Sequence, residues 1–283
     1  MRLEQMKMLA AAIAAAGTMV LGAAESPVPA AGASAPAASG AKAGAQKARA
    51  QRAKRGRPDA TKASSRLKLF KKKNGFWWKD RHEQKLAEIR ASGGKIDLVM
   101  VGDSITHRWD RAGFGTNVLA RLSKTYSILD LGFGADHVEQ VLWRITEGGE
   151  LDGYEAKIVT LMIGTNNSLG YAPENVAAGI RKCLDVIREK QPKAKVVLMA
   201  ILPRYGDSEE KVKRRACNDA VNAIIKGYAD GENVFWLDMN PKFPPVGGDA
   251  YKEVCPDSTH PNEKGYEIWA AELQPYLKKY VGK

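Results

Sequence analysis

The sequence predicts an α/β protein, a three-layer α/β/α sandwich around a five-stranded parallel sheet of the flavodoxin-like kind. Two observations predict it. Short apolar runs rich in β-branched residues alternate along the chain with amphipathic stretches of helical period. Apolar strands separated by such helices favour parallel βαβ units, with helices packed on both faces of the sheet.

The elements follow from these patterns in chain order. The five predicted strands are residues 96–101, 127–131, 157–163, 196–202 and 234–237. The predicted helices are residues 79–91, 137–145, 175–190, 209–228 and 263–280. In the second helix, apolar residues recur at i, i+3, i+4 and i+7, the period of one helical face; they are Val138, Val141, Leu142 and Ile145. Pro192 and Pro203 end the third helix and the fourth strand.

The first quarter of the chain differs in composition from the rest. Residues 1–24 predict a signal peptide, because Arg2 and Lys7 precede a short apolar stretch that ends in small residues near Ala24. An uncleaved membrane anchor is the alternative. Residues 25–70 are rich in Ala and Pro, then in Lys and Arg, and predict a disordered linker before a folded domain at 71–283. We therefore expect an extracytoplasmic protein, periplasmic or secreted, or membrane-anchored if the segment is retained.

The net charge of +12 comes from one segment. Residues 41–73 contain thirteen Lys or Arg and one acidic residue, so the rest of the chain is neutral. A basic face for nucleic acid on the folded domain is therefore not predicted. The basic segment is interpreted as a solvated spacer, and weak contact with anionic membrane lipids or wall polymers is the alternative. The three Cys and four His show no metal-ligand spacing, and we predict neither a metal nor a cofactor.

Four segments carry candidate functional residues. Three of them follow predicted strands, and the fourth precedes the last predicted helix. They are residues 102–104, 131–136, 163–167 and 257–262. Ligands bind at the carboxyl ends of strands in open α/β sheets. A serine nucleophile needs a base, a group that orients the base, and donors for an oxyanion. These segments contain all of those residue types.

Taken in order, the four segments resemble blocks I, II, III and V of the SGNH hydrolases, also called GDSL-like esterases. Gly102–Thr106 is similar to block I, and Gly164–Asn167 to block III. Within the superfamily, Val141–Arg144 and Ile201–Pro203 resemble the branch of the platelet-activating factor acetylhydrolase Ib catalytic subunits. The resemblance spans about residues 76–281.

This resemblance implies a Ser-His-Asp triad. It makes Ser104 the nucleophile and His260 the general base that later protonates the leaving alcohol. Asp257 would hold the imidazole of His260 in the useful tautomer. His107 competes as a base because it lies one turn after Ser104, but no acid is positioned to orient it, and we place it at the pocket rim.

The resemblance also implies an oxyanion hole. Its donors would be the backbone N–H groups of Ser104 and Ala135 and the side-chain amide of Asn166. The family has glycine at the position of Ala135, and a methyl group there restricts φ and narrows the pocket. Gly134 is the alternative donor.

We expect an exported serine esterase that removes short acyl groups, acetyl in particular, from carbohydrates through an acyl-enzyme. The first alternative is a lipid-directed esterase, acting on acetylated phospholipids or lysophospholipids. The second is a noncatalytic glycan-binding protein that keeps the fold. The expected partner is a small ester or an acetylated glycan, and the oligomeric state stays open, although the resembled subunits dimerise.

Overall fold

The computed structural model of the chain describes residues 59–67 and 76–283. The predicted signal peptide lies outside these residues. Five strands form one sheet: β1 (Lys95–Gly102), β2 (Ile128–Gly132), β3 (Glu155–Met162), β4 (Lys195–Met199) and β5 (Val234–Leu237). The strand order is β2-β1-β3-β4-β5, and all four pairings are parallel. The predicted five-stranded parallel sheet is confirmed.

Helices cover both faces of the sheet. They are α1 (Phe76–Ala91), α2 (Ser104–His107), α3 (Thr116–Leu122), α4 (Val138–Ile145), α5 (Pro173–Lys190), α6 (Glu209–Ile225) and α7 (Glu263–Tyr280). Short 3₁₀ turns occur at Arg108–Asp110, Lys226–Tyr228, Asn240–Lys242 and Ala250–Glu253. Within the described residues, no helix combines the length and the apolar character needed to cross a bilayer.

The strands separate two apolar cores because successive side chains point to opposite faces. In β1, Val99 and Val101 pack with α4, α5 and α6, whereas Leu98 and Met100 pack with α3 and α7. Both cores are almost fully buried. The sheet is therefore covered on both sides, as its continuous apolar strands require.

The register of the sheet aligns the carboxyl ends of β1, β2 and β3. Gly102 of β1 pairs with Gly132 of β2 and with Met162 of β3. The loops that follow these strands therefore start from one edge of the sheet. β4 ends at Met199 rather than at the predicted residue 202, because its neighbour β5 pairs with it only as far as Leu237. The seven-residue α3 was missed, since so short a helix has little periodicity to detect.

Part of the predicted linker is folded. Ala60 is fully buried, and its N–H donates to Asn175 Oδ1 at 2.9 Å. The Ser64 N–H donates to the carbonyl of Glu139 at 2.9 Å. Gly179 makes room for this segment, because a Cβ there would lie 2.5 Å from Ala60 O. Residues 59–67 thus belong with the domain: backbone hydrogen bonds and a small buried residue hold them, and composition does not reveal such contacts.

Candidate active site

Ser104 lies where β1, an interior strand of the sheet, turns into α2. Asp103 caps α2, because its side chain accepts a 2.9 Å hydrogen bond from the backbone N–H two residues on. Gly102 permits the tight turn, since a Cβ there would lie 2.1 Å from Thr106 Oγ1 and 2.6 Å from a carbonyl of β3. The turn therefore presents Ser104, half-buried, at the carboxyl edge of the sheet.

His260 and Asp257 meet Ser104 from the loop before α7. His260 Nε2 is 2.8 Å from Ser104 Oγ, and His260 Nδ1 is 2.7 Å from Asp257 Oδ2. The backbone N–H groups of Thr259 and His260 donate to Asp257 Oδ1 at 3.0 and 2.7 Å, so the carboxylate also fixes the loop. A neutral imidazole that donates Nδ1–H to this carboxylate leaves Nε2 free to accept the hydroxyl proton.

Arg108 adds a positive charge to this group. Its Nη1 lies 3.1 Å from Asp257 Oδ2, the oxygen that also faces the imidazole. Burial raises the pKa of Asp257, but hydrogen bonds and charge from His260 outweigh it and lower the pKa to about 2. The pKa of His260 is lowered from 6.5, first by burial and then by Arg108 and Arg204, against the opposing effect of Asp257. At neutral pH the carboxylate is therefore charged and the imidazole neutral.

Three N–H groups of the cleft are candidates to bind an oxyanion. The backbone N–H groups of Ser104 and Ala135 have no hydrogen-bond partner among the described residues. Asn166 Nδ2 donates to the carbonyl of Asp136 at 2.8 Å, which fixes the amide and leaves its second hydrogen available. Ser104, Ala135 and Asn166 all line the same cleft.

The loop after β2 determines which backbone N–H group can donate to an oxyanion. The N–H of Gly134, the alternative donor, is already donated to His107 Nδ1 at 3.1 Å. Ala135 has a φ of +60°, in the left-handed region that favours glycine. This backbone conformation is one that suits glycine best, and it costs a residue with a Cβ about 1 kcal/mol.

Ala135→Gly should relieve that strain. We expect the free energy of unfolding to rise by up to about 1 kcal/mol, partly offset by the greater freedom of glycine in the unfolded chain. Urea denaturation measures the change. The matched control is Ala91→Gly at the end of α1, which should lower the midpoint because no positive φ occurs there. A lower midpoint for Ala135→Gly would show that the left-handed backbone carries no strain.

A buried ionic network supports the same loop. Arg144 is fully buried, and its guanidinium donates to Asp136 Oδ2 at 2.9 Å, to Glu150 Oε2, and to carbonyls at the ends of β1 and β2. The Trp78 indole N–H donates to Asp136 Oδ1 at 2.8 Å. Burial raises the pKa of Asp136, and the charge of Arg144 opposes that rise. The network thus connects two strand ends to the residue whose carbonyl holds Asn166.

The cleft over Ser104 has a volume of about 810 Å³. One face of α1 forms a wall with Trp77, Asp80 and Gln84. Trp77 is 38% exposed and stacks on His107, with ring centroids 5.8 Å apart. The structure places His107 in the cleft, where burial is the main cause that lowers its pKa to about 3. No group of three or more potential metal ligands occurs among the described residues.

Sequence reasoning missed the arginines of the site. Arg204 Nε donates to Thr165 Oγ1 and its Nη1 to Thr259 Oγ1, both at 3.0 Å, so it joins the loop of Asn166 to the loop of His260. A signal was present, since Arg204 comes two residues after the predicted fourth strand, at its carboxyl end. Arg144 was noticed only as part of a resemblance, although a charged residue on the apolar face of α4 indicates a buried partner.

Comparisons with known proteins identify the family of this chain. The profile of the GDSL-like lipase/acylhydrolase family matches residues 100–268. The chain is 30% identical to the platelet-activating factor acetylhydrolase IB subunit alpha1 of Bos taurus over 205 residues, which is 72% of this chain and 84% of that protein.

Two solved structures share the fold. A GDSL-like lipase from Bacteroides thetaiotaomicron has a TM-score of 0.56 and 21% identity, covering 70% of this chain and 97% of that one. Axe2, an acetylxylan esterase from Geobacillus stearothermophilus, has a TM-score of 0.50 and 19% identity, covering 65% and 94%. The family match extends over more than half of the chain. The protein therefore belongs to the GDSL-like lipase/acylhydrolase family of the SGNH hydrolase superfamily and is a carboxylic ester hydrolase.

Proposed function

We propose that this protein is an exported serine esterase that removes acetyl groups from carbohydrates. The observation that carries the proposal is the hydrogen-bonded series from Ser104 Oγ through His260 to Asp257 within an open cleft. A serine hydroxyl placed 2.8 Å from a neutral imidazole is the arrangement that activates it as a nucleophile.

Acylation begins when Ser104 Oγ attacks the ester carbonyl carbon while its proton passes to His260 Nε2. The carbonyl oxygen takes up the negative charge, and the N–H groups of Ser104 and Ala135 and the amide of Asn166 stabilise it. The bond to the alcohol oxygen then breaks, and His260 returns the proton to the departing alcohol. Between these two proton transfers, the carboxylate of Asp257 stabilises the imidazolium of His260.

Deacylation repeats the sequence with water. A water molecule gives its proton to His260 Nε2 and attacks the acyl carbon of the acyl-enzyme. When the tetrahedral intermediate collapses, the bond to Ser104 Oγ breaks and His260 protonates that oxygen. Acetate is released, and the free serine is restored.

Two features favour an acetyl ester on a sugar. Ala135 lines the cleft and adds a methyl group that a glycine would lack, which suits a small acyl group. At the cleft mouth, Trp77 offers an exposed aromatic face next to Asp80 and Gln84, a combination suited to a sugar ring and its hydroxyl groups. The names of the similar acetylhydrolase subunit and acetylxylan esterase are consistent with acetyl transfer to water. Export rests on the sequence of residues 1–24.

An acetate-release screen tests the proposal. Purified protein is incubated with acetylated xylan, acetylated pectin, peptidoglycan and an acetylated phospholipid, and free acetate is measured. We expect release from glycans and little from the phospholipid. Release from the phospholipid alone would favour the lipid-directed alternative, for which the acetylhydrolase relative is the supporting observation.

A chain-length series gives a second test. With p-nitrophenyl esters from acetyl to decanoyl, kcat/KM should be highest for acetyl and fall with each lengthening of the chain. A maximum at long chains would contradict the acetyl preference, because it would require an acyl site that Ala135 does not restrict.

The pH dependence follows from the pKa of His260. Its lowered pKa keeps the imidazole neutral at more acidic pH, so the acid limb of kcat/KM should lie below pH 6.5. Arg108→Gln removes a charge that disfavours the imidazolium, and the limb should move to higher pH. Arg108→Lys keeps the charge and serves as the control. An acid limb unmoved in Arg108→Gln would exclude this electrostatic effect.

A further inference from the structure

The cleft carries an excess of positive charge. Its charged lining residues, apart from histidine, are Asp80, Arg81, Arg108, Arg111 and Arg204. Two of these arginines are neutralised, because Arg81 Nη1 is 2.8 Å from Asp110 Oδ2 and Arg108 Nη1 is 3.1 Å from Asp257 Oδ2. The other two face the cleft without a carboxylate within ion-pair distance among the described residues. The excess stands out because the chain beyond residues 41–73 is neutral overall.

Arg111 is exposed, and its side chain makes no hydrogen bond or ion pair with another described residue. It follows the 3₁₀ turn that begins at Arg108, and it lines the cleft together with His107. All five of its guanidinium N–H groups are therefore available to a ligand.

Arg204 lines the same cleft, is half-buried and is held by Thr165 and Thr259. Its three hydrogen bonds go to two hydroxyls and the Thr165 carbonyl, all of them neutral acceptors. Two of its five N–H groups remain free. Burial, followed by the charge of Arg214, lowers the pKa of Arg204. The charges of Asp103, Asp257 and Glu210 oppose this shift, but no carboxylate of the described residues lies within ion-pair distance of Arg204. An anionic ligand in direct contact would therefore stabilise this half-buried cation further.

We propose that the cleft binds acidic glycans, and that Arg111 and Arg204 contact carboxylates of the sugars near the acetylated one. This inference rests on the proposed function and specifies its substrate class. Guanidinium groups pair with carboxylates in a planar, two-pronged geometry. Because Arg111 comes from the segment after β1 and Arg204 from the loop after β4, a chain that carries an acid on successive sugars offers a carboxylate to each of them.

A matched pair of polymers tests the substrate class. Acetylated galacturonan is prepared with free carboxyl groups and with methyl-esterified carboxyl groups, and acetate release is measured for both. At low ionic strength we expect kcat/KM to be at least about tenfold higher for the free acid. Added salt should reduce this ratio because it screens exposed charge.

Binding is measured separately from turnover. Trigalacturonate without acetyl groups should inhibit p-nitrophenyl acetate hydrolysis competitively, and its methyl ester should inhibit weakly. In Arg111→Gln the inhibition constant should rise by about tenfold, and in Arg111→Lys by less, since the charge is kept. Arg90→Gln is the matched control, because Arg90 is exposed on α1 and lies outside the cleft lining; it should leave the inhibition constant unchanged.

The outcomes separate this inference from the proposed function. If trigalacturonate inhibits as expected but neither polymer, nor any glycan of the acetate-release screen, releases acetate, the acidic subsite stands and the carbohydrate esterase proposal fails. If acetate is released equally from both polymers and the two trisaccharides inhibit alike, the acidic subsite is excluded and the esterase stands. Competition by monomeric lysophosphatidic acid without competition by trigalacturonate would also overturn the inference, since it would assign the arginines to a lipid phosphate.

Discussion

Ser104→Ala should lower kcat/KM for p-nitrophenyl acetate by at least about 10⁴-fold, because the substitution removes the only atom that can form the proposed acyl-enzyme. The fold should be unaffected. Ser104 is half-buried and its hydroxyl contacts His260 Nε2, so alanine leaves no large cavity. Steady-state kinetics and a urea denaturation curve measure the two properties independently.

The control for this variant is Ser123→Ala, an exposed serine at the end of α3 and outside the cleft, which should keep full activity. A double variant, Ser104→Ala with His260→Ala, sharpens the test. Residues that act as one catalytic unit are strongly non-additive, so the double variant should lose little more than Ser104→Ala alone. Losses that multiply, or a Ser104→Ala protein with normal turnover, would reject the serine mechanism.

Arg144→Met should lower the free energy of unfolding by about 3–5 kcal/mol. The substitution keeps much of the side-chain length but leaves the carboxylates of Asp136 and Glu150 buried without their cation. It also removes the donors that join the ends of β1 and β2. Because the same network holds the loop that carries Ala135, the surviving folded protein should also lose activity. Urea denaturation and kinetics at low temperature measure both effects.

Arg121→Met is the matched control for the buried arginine. Arg121 pairs with Glu267 in a two-pronged contact, but both side chains are about half exposed, so the same substitution should cost no more than about 1 kcal/mol. Equal losses for the two variants would mean that the buried network contributes nothing beyond an ordinary surface pair, and that packing alone holds the loop.

Much of the fold could be predicted from the sequence because the sheet is buried on both faces. Strands of this kind are nearly continuous apolar runs, and β5 and α7 were predicted with the boundaries that the structure has. Segments without a large apolar surface escaped prediction. Ala60 docks through backbone hydrogen bonds and the space above Gly179, and neither contact produces a hydrophobic pattern.

The candidate site could likewise be predicted only in part. By itself, the sequence determined which residues supply a hydroxyl, an imidazole, a carboxylate and an amide, because each occurs in a short motif that follows a predicted strand or precedes the last predicted helix. The family glycine missing at Ala135 was also visible there. Only the tertiary structure decided that Ser104 Oγ and His260 Nε2 lie 2.8 Å apart, that Ala135 has a φ of +60°, and that Arg108 shares the carboxylate of Asp257. The physical reason is that hydrogen bonds and charge interactions depend on distances of a few ångströms between residues far apart in the chain, and local patterns do not contain those distances.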